Sequence, residues 1–163
     1  CAVVIAGTGP VGVRAAGLLV RSGAAVTVTS RRGADHALAE GIGRRFGGTV
    51  RAITMPDSSH AAAVLDGAEL LLNAGPAGVQ LVPRAAWAGR PGLRAAADIN
   101  AVPPLGVEGI EVHDDGAERD GLTVFGALGV GGLKMKIHKA CIARLFERND
   151  LVLDAEGQKM SKS

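Results

Sequence analysis

The segment AVVIAGTGPVG, residues 2–12, contains the most informative pattern of this sequence. Its first five residues are apolar and run directly into glycine, which is typical of a parallel strand buried on both faces of a sheet. Pro10 then stands in the first turn of a helix, where the missing backbone N–H has no cost. The stretch therefore predicts a strand, a tight turn and a helix, which together begin a βαβ unit.

The same alternation of short apolar runs and helical segments continues along the chain. We predict further strands at 25–29, 49–54, 69–73 and 94–99, and helices at 11–21, 34–46, 57–66, 83–88 and 128–148. The stretch 100–120 is rich in Pro, Gly and Asp and is predicted as a loop with a short strand at 110–113. Five strands alternating with helices predict a Rossmann-type α/β domain, a doubly wound parallel sheet in three layers, α/β/α.

Length and composition fit one such domain. The chain has 163 residues, and because aromatic residues make up only 2%, its core must consist of Ala, Val, Leu and Ile. The net charge of +2, without a basic tail, argues against nucleic acid as a partner. There is no apolar run long enough for a membrane, so we predict no membrane partner. The two cysteines have no metal-binding spacing, which favours a cytoplasmic enzyme without a metal site.

The glycine loop, residues Gly7-Thr8-Gly9-Pro10-Val11-Gly12, has the pattern G-x-G-x-x-G. In the dinucleotide-binding form of this loop, the first glycine permits the turn and the second lets a pyrophosphate approach the backbone. The third lets helix and strand pack closely. The positive end of the following helix then binds the pyrophosphate. The alternative interpretation is a tight strand–helix turn without a ligand.

The second strand ends in Ser30-Arg31-Arg32, where NAD-binding domains usually place an acidic residue. A carboxylate at this place binds the ribose 2′-hydroxyl and repels a 2′-phosphate. A serine hydroxyl and two guanidinium groups bind that phosphate instead. The sequence thus predicts NADP as cofactor, with NAD as a weaker one; a solvated basic turn is the alternative.

Polar and glycine residues follow the later strands. Asn73-Ala74-Gly75 follows the fourth strand, and Asp98 and Asn100 close the fifth. By the topology rule for open α/β sheets, both segments border the nicotinamide half of a dinucleotide site. A glycine-rich passage that contains Gly129 precedes the long last helix, and we expect its backbone to lie close to a ligand or another chain.

Three blocks, AGTGPVG at 6–12, ADINAVPPLG at 97–106 and the segment 125–146, carry a resemblance to a known family. In these blocks the chain resembles the NADP-binding domain of the bacterial methylene-tetrahydromethanopterin dehydrogenases, which are enzymes of one-carbon metabolism. The resemblance extends to about residue 154, so we assign 1–153 to the NADP-binding domain and 154–163 to a C-terminal tail.

The resemblance implies an oxidoreductase that transfers a hydride from the methylene carbon of a reduced pterin to NADP⁺. It implies that the pterin, tetrahydromethanopterin or tetrahydrofolate, lies in a cleft shared with an N-terminal domain, and that the protein forms homo-oligomers. It also places the active-site lysine of the family at Lys134. The chain starts at Cys1, inside its first core strand, so we expect that the N-terminal domain is absent from this sequence.

Two other functions remain open at this point. The first is another two-domain dehydrogenase, of the shikimate or folate type. The second is a stand-alone NADP-binding module without turnover.

The tail KMSKS at 159–163 resembles a loop of class I aminoacyl-tRNA synthetases, but none of the histidines here begins the second motif of those enzymes.

Overall fold

The computed structural model describes residues 1–147, 151–153 and 159–161. The chain divides into two compact units, Cys1–Gly129 and Val130–Ser163. The first unit contains the glycine loop and the whole of the main sheet. Its last helix continues into the second unit.

The first unit is built from seven strands and the helices between them. The strands are β1 Ala2–Ile5, β2 Val26–Ser30, β3 Val50–Thr54, β4 Leu70–Asn73, β5 Ala95–Asp98, β6 Asp115–Arg119 and β7 Leu122–Phe125. The helices are α1 Pro10–Arg21, α2 His36–Phe46, α3 Ala61–Val64 after a 3-10 turn at Ser58–His60, α4 Arg84–Trp87, and the start of α5 Ala127–Glu147. The strand order β3-β2-β1-β4-β5-β7-β6 is that of a Rossmann-like α/β sheet, which confirms the predicted fold class.

The central strand shows why the sheet forms where the sequence predicts it. Val3 and Ile5 of β1 lie in one core, together with Trp87, whereas Val4 lies in a second core with Val28. Side chains alternate between the two faces of a strand, so a strand covered on both faces must be apolar throughout. β1 pairs in parallel with β2 on one side and with β4 on the other.

The sheet has two strands in addition to the five that were predicted to alternate with helices. The strand predicted at 110–113 is wrong, since the structure has a turn at 112–113, and a strand forms instead at Asp115–Arg119 within the predicted loop. This β6 is an antiparallel edge strand with exposed polar residues, so it lacks the apolar run of a buried strand. Asp120 and Gly121 form its two-residue turn to β7, with φ of 49° and 79°. Asp-Gly is a strong hairpin signal that identifies this pair of strands in the sequence.

An ion pair between buried Asp114 and partly exposed Arg119 stabilises the segment that leads into β6. Asp114, which is 7% exposed, accepts two hydrogen bonds from the Arg119 guanidinium at 2.7 and 2.8 Å and one from the Glu111 backbone N–H at 2.7 Å. The hydrogen bonds from Arg119 are the main reason that the pKa of Asp114 lies below its ordinary value. The ionised Asp114 therefore stabilises the folded state fully above about pH 4. This stabilisation is lost as the pH falls through the folded-state pKa of Asp114.

We expect Asp114→Asn to lower the free energy of unfolding by about 1–2 kcal/mol at pH 7, since solvent weakens a pair whose arginine is 37% exposed. The difference from the wild type should shrink as the pH falls below about 4. Urea unfolding between pH 7 and pH 3 measures this, with the exposed neighbour Asp115→Asn as control. A difference in unfolding free energy that stays constant with pH would show that the Asp114 charge is not the source of this stabilisation.

The second unit contains the rest of α5 and two short paired strands. β8 Leu151–Leu153 pairs antiparallel with β9 Lys159–Ser161. The predicted stripe Leu133, Ile137, Cys141 and Leu145 begins with two exposed side chains, and the Leu145 side chain lies outside the described residues. Most of the predicted tail at 154–163 also lies outside them. Among the described residues, the structure has no helix with the length and apolar character that crossing a membrane requires.

Candidate functional site

The glycine loop is held against the second strand by Thr29. The Ala6 backbone N–H donates to the Thr29 hydroxyl at 2.9 Å, and the Gly7 N–H donates to the Thr29 carbonyl at 3.0 Å. Ala6 has a φ of 52°, a left-handed conformation that is uncommon for alanine. Non-glycine residues in this region cluster at functional sites, where surrounding contacts fix them. The turn is thus fixed from β2 as well as from its own strand.

The three glycines of the loop have different reasons to lack a side chain. A Cβ at Gly12 would lie 2.5 Å from the Gly7 Cα, and one at Gly7 would lie 3.1 Å from Val4 and Val28. A Cβ at Gly9 would meet nothing within 4 Å, and its φ of −78° suits any residue. The fold therefore requires Gly12 and favours Gly7, but it does not require Gly9. A glycine at such a position also lets a ligand approach the backbone closely.

The helix that follows is open at its N-terminus. Gly9 is the N-cap of α1 and contributes no side-chain hydrogen bond, and the first turn of the helix has no acidic residue. The first amides of a helix have no intrahelical acceptor, and the helix dipole is positive at this end. This twelve-residue helix therefore presents unpaired donors beside the free space at Gly9, which is an arrangement that binds a phosphate group.

A pocket of about 290 Å³ lies next to the glycine loop, at the end of β2. We call it the basic pocket, and its lining consists of Ala6, Thr8, Ser30, Arg31, Arg32, Pro76, Val79 and Leu81. Ser30 is half-buried, whereas Arg31 and Arg32 are exposed and form none of the ion pairs found in the described part of the chain. The lining thus combines two cationic side chains with an apolar wall formed by Pro76, Val79 and Leu81, which suits a charged group attached to a flat apolar one.

The polar residues predicted at the later strand ends do come together. Asn73 ends β4 and Asp98 ends β5, and their side chains are joined by a hydrogen bond of 2.8 Å from the Asn73 amide to the carboxylate. Asn100 joins the same cluster through its backbone N–H, which donates to Asp98 at 3.0 Å. Asn73, Asp98 and Asn100 are all buried. The cluster lies at the carboxyl edge of the sheet, separated from β2 by β1.

Ala74 and Gly75 lie directly beside this cluster. The Ala74 N–H donates to the carbonyl of Ile5 at 3.0 Å, and the Gly75 N–H donates to the Asn73 side-chain oxygen at 3.2 Å. This backbone is therefore tied to the end of β1, from which the glycine loop leads. The two predicted parts of the site share one edge of the sheet.

The glycine-rich passage before α5 has a structural explanation in part. A Cβ at Gly126 would overlap the Glu111 carbonyl, and one at Gly129 would overlap the carbonyl of Asp114. Both glycines let this passage lie against residues 111–114. Gly129 thus has a packing role beside the predicted contact with cofactor.

Lys134, the predicted active-site residue, lies in α5 within the second unit, and its side chain is exposed. Among the described residues, no group of His, Cys, Asp or Glu side chains is arranged to hold a metal ion. Sequence reasoning did not identify Thr29, or the apolar wall Pro76, Val79 and Leu81. These residues belong to no motif, and only the folded chain brings them to the glycine loop.

Two curated proteins are similar to this chain in sequence. The chain is 46% identical over 156 residues to the bifunctional protein MdtA of Methylorubrum extorquens, a match covering 95% of this chain and 54% of that protein. It is 37% identical over 115 residues to the NAD(P)-dependent methylenetetrahydromethanopterin dehydrogenase of the same organism, covering 68% of this chain and 38% of that protein. The chain therefore spans about half, or less, of the length of these relatives. No protein-family model matches it.

A solved structure shares the fold. The transhydrogenase of Sinorhizobium meliloti superimposes with a TM-score of 0.59 at 23% sequence identity, over 80% of this chain and 37% of that one. At this identity the likeness concerns the fold alone. It supports the Rossmann-type fold, whereas the two sequence relatives support an oxidoreductase-like NAD(P)-binding domain.

Proposed function

We propose that this chain is the NADP-binding domain of an oxidoreductase that transfers a hydride from methylene-tetrahydromethanopterin, or methylene-tetrahydrofolate, to NADP⁺. The observation that carries the proposal is the free space at Gly9 beside the open N-terminus of α1. A glycine that the fold does not require, next to unpaired helix amides, fits a dinucleotide pyrophosphate. The similarity to a methylenetetrahydromethanopterin dehydrogenase supports the substrate class.

The basic pocket supports NADP as the preferred cofactor. From the pyrophosphate at α1, the adenosine half of a dinucleotide extends toward the end of β2. There Arg31, Arg32 and Ser30 supply donors for a 2′-phosphate, and the apolar wall at Pro76, Val79 and Leu81 accommodates the adenine ring. The structure offers no carboxylate among the lining residues to bind a free 2′-hydroxyl. NAD is expected to bind more weakly for the same reason.

The proposed reaction requires orientation more than acid–base chemistry. When bound, NADP⁺ supplies the nicotinamide ring that accepts the hydride. The donor carbon of the substrate lies between two nitrogen atoms, whose lone pairs stabilise the methenyl cation that forms, so no proton leaves that carbon. The protein then has to hold the two reactants in contact, and the polar cluster at Asn73 and Asp98 lies at the edge where the nicotinamide is expected.

The remaining parts of the proposal follow from the family resemblance. The reduced pterin would lie between this domain and a second, N-terminal domain, in a homo-oligomeric cytoplasmic enzyme. Lys134 would be the active-site lysine that orients the pterin or adjusts the charge beside it.

An absorbance assay of NADPH formation tests the proposed reaction. We expect the protein together with its N-terminal domain to reduce NADP⁺ with methylene-tetrahydromethanopterin, methylene-tetrahydrofolate or both, and to use NAD⁺ less efficiently. Binding of NADP⁺ without turnover of either substrate would contradict the dehydrogenase and favour a stand-alone NADP-binding module.

The same protein tests the role of Lys134. We expect Lys134→Ala to slow single-turnover hydride transfer at least tenfold, because a lost orienting or charge-stabilising contact of this kind costs on the order of 1.4 kcal/mol or more in the transition state. Lys136→Ala is the matched control, an exposed lysine two residues further along α5. An unchanged rate in Lys134→Ala would remove this residue from the chemistry.

A further inference from the structure

Asp98 is a buried carboxylate without a cation. It is 1% exposed and forms none of the ion pairs found among the described residues. Its oxygens accept three N–H hydrogen bonds instead, from the Asn73 side chain at 2.8 Å, the Asn100 backbone at 3.0 Å and the Val107 backbone at 2.8 Å. Burying a carboxylate is costly unless it is hydrogen-bonded in this way. The donors therefore stabilise the carboxylate, and the carboxylate in turn fixes the positions of the donors.

The two oxygens of Asp98 hold different parts of the chain. Oδ1 accepts hydrogen bonds from Asn73, at the end of β4, and from Asn100, at the start of the loop that follows β5. Oδ2 accepts a hydrogen bond from Val107, at the end of the same loop. One carboxylate therefore closes the loop 99–106 at both ends. Within the loop, the Asn100 side-chain oxygen accepts from the Val102 N–H at 2.9 Å. The loop tip at 101–104 is exposed and apolar in sequence.

The same carboxylate orients the Asn73 side chain. Because the Asn73 amide nitrogen donates to Asp98, its oxygen is directed to the Gly75 N–H, 3.2 Å away. A Cβ at Gly106 would overlap that amide nitrogen, so the loop packs directly on Asn73. The carbonyl of Gly106 in turn accepts from the N–H groups of Leu81 and Val82, both at 2.9 Å. The segments 73–82 and 98–107 thus form one assembly centred on Asp98.

We propose that Asp98 is a positioning residue for the nicotinamide half of the cofactor. It shapes the backbone at Ala74 and Gly75 and the loop 99–106, while its own burial leaves it no surface for a ligand. The inference rests on the proposed function, because the topology of the sheet places the nicotinamide half at this edge. It changes the expectation from the sequence, in which Asp98 contacts the cofactor itself.

The proposal requires a carboxylate and not an amide of the same shape. An Asn side chain at position 98 would present an NH₂ group either to the Val107 N–H or to the donors from Asn73 and Asn100. A donor would then face a donor, and one part of the assembly would be released. Asp98→Asn therefore disturbs the segments 73–82 and 98–107, to which the apolar wall of the basic pocket belongs, and leaves the glycine loop and the polar residues Ser30, Arg31 and Arg32 in place.

Binding of two ligands to the purified chain separates these effects. The first is 2′,5′-ADP, which contains only the adenosine half with its 2′-phosphate, and the second is NADP⁺. We expect Asp98→Asn to weaken NADP⁺ binding at least tenfold in calorimetric titrations. Binding of 2′,5′-ADP should weaken by no more than about threefold, because its 2′-phosphate keeps the proposed contacts with Ser30, Arg31 and Arg32. Leu65→Ala is the control: Leu65 is fully buried, and it lies before β4, at the opposite edge of the sheet. It should destabilise the fold without selective loss of NADP⁺.

Gly106→Ala provides a second variant that keeps Asp98 and displaces Asn73. It should show the same selective loss of NADP⁺ if Asp98→Asn fails to fold. Equal losses of both ligands, or no loss, would overturn the positioning role, as would a wild type that binds NADP⁺ no better than 2′,5′-ADP. Failure of the wild type to bind either ligand would overturn the proposed function and this inference with it.

Discussion

Gly9→Asp is expected to abolish dinucleotide binding without destabilising the domain. Asp is among the best N-cap residues, and its charge is favourable at a helix N-terminus, so we expect the free energy of unfolding to stay the same or rise by about 0.5 kcal/mol. The Cβ of residue 9 meets no atom of the chain within 4 Å. The new carboxylate would, however, occupy the pyrophosphate site and repel it. We expect the affinity for NADP⁺ to fall at least a hundredfold, or about 2.7 kcal/mol.

Gly12→Ala provides the opposite control. Its Cβ would lie 2.5 Å from the Gly7 Cα, so the helix must move away from the loop and stability must fall. Titration with NADP⁺ and urea unfolding of the two variants measure both effects. Gly9→Asp with unchanged affinity would show that the loop is only a structural turn. Loss of stability in Gly9→Asp would show that the space beside Gly9 serves the fold.

The double variant Arg31→Ala/Arg32→Ala is expected to lose NADPH binding selectively. Charge-assisted hydrogen bonds are worth about 1.5–3 kcal/mol, so loss of the guanidinium contacts to a 2′-phosphate should weaken NADPH binding on the order of a hundredfold. NADH lacks that phosphate, and its affinity should change by no more than about threefold. Fluorescence titration of both reduced cofactors measures the ratio directly.

The matched control for the arginines is Arg44→Ala/Arg51→Ala, which removes two exposed positive charges elsewhere on the same unit. It should reduce the binding of NADPH only slightly, through the weaker long-range field. Equal losses of NADPH and NADH in the Arg31/Arg32 variant would contradict a 2′-phosphate site. The cofactor would then be NAD, or the basic turn would only be a solvated one.

The sequence predicted those features of the site that depend on neighbouring residues along the chain. The turn at Gly7 and Gly9, the helix that begins at Pro10 and the basic end of β2 are all local, and the structure has each of them in place. The hairpin of β6 and β7 was missed although Asp120-Gly121 signals it, because β6 has no apolar pattern. The packing of Gly129 against the Asp114 carbonyl cannot be predicted from the sequence, because a glycine-rich passage does not reveal which atoms come close to it.

Contacts between residues that are far apart in the sequence cannot be predicted from local patterns. Asn73 and Asp98 are 25 residues apart and meet only because β4 and β5 pair in a register that sets them side by side. The apolar wall at Pro76, Val79 and Leu81 follows β4, and the folded chain brings it to the same pocket as Arg31 and Arg32, which follow β2.

The sequence alone therefore determined the fold class and the glycine loop, since steric demands and hydrophobic periodicity act over a few residues. The tertiary structure decided that Gly12 serves the fold while Gly9 is left free, and that Asp98 is enclosed by three donors. Both outcomes depend on which atoms lie within a few ångströms in the folded chain, and strand order and register fix those neighbours.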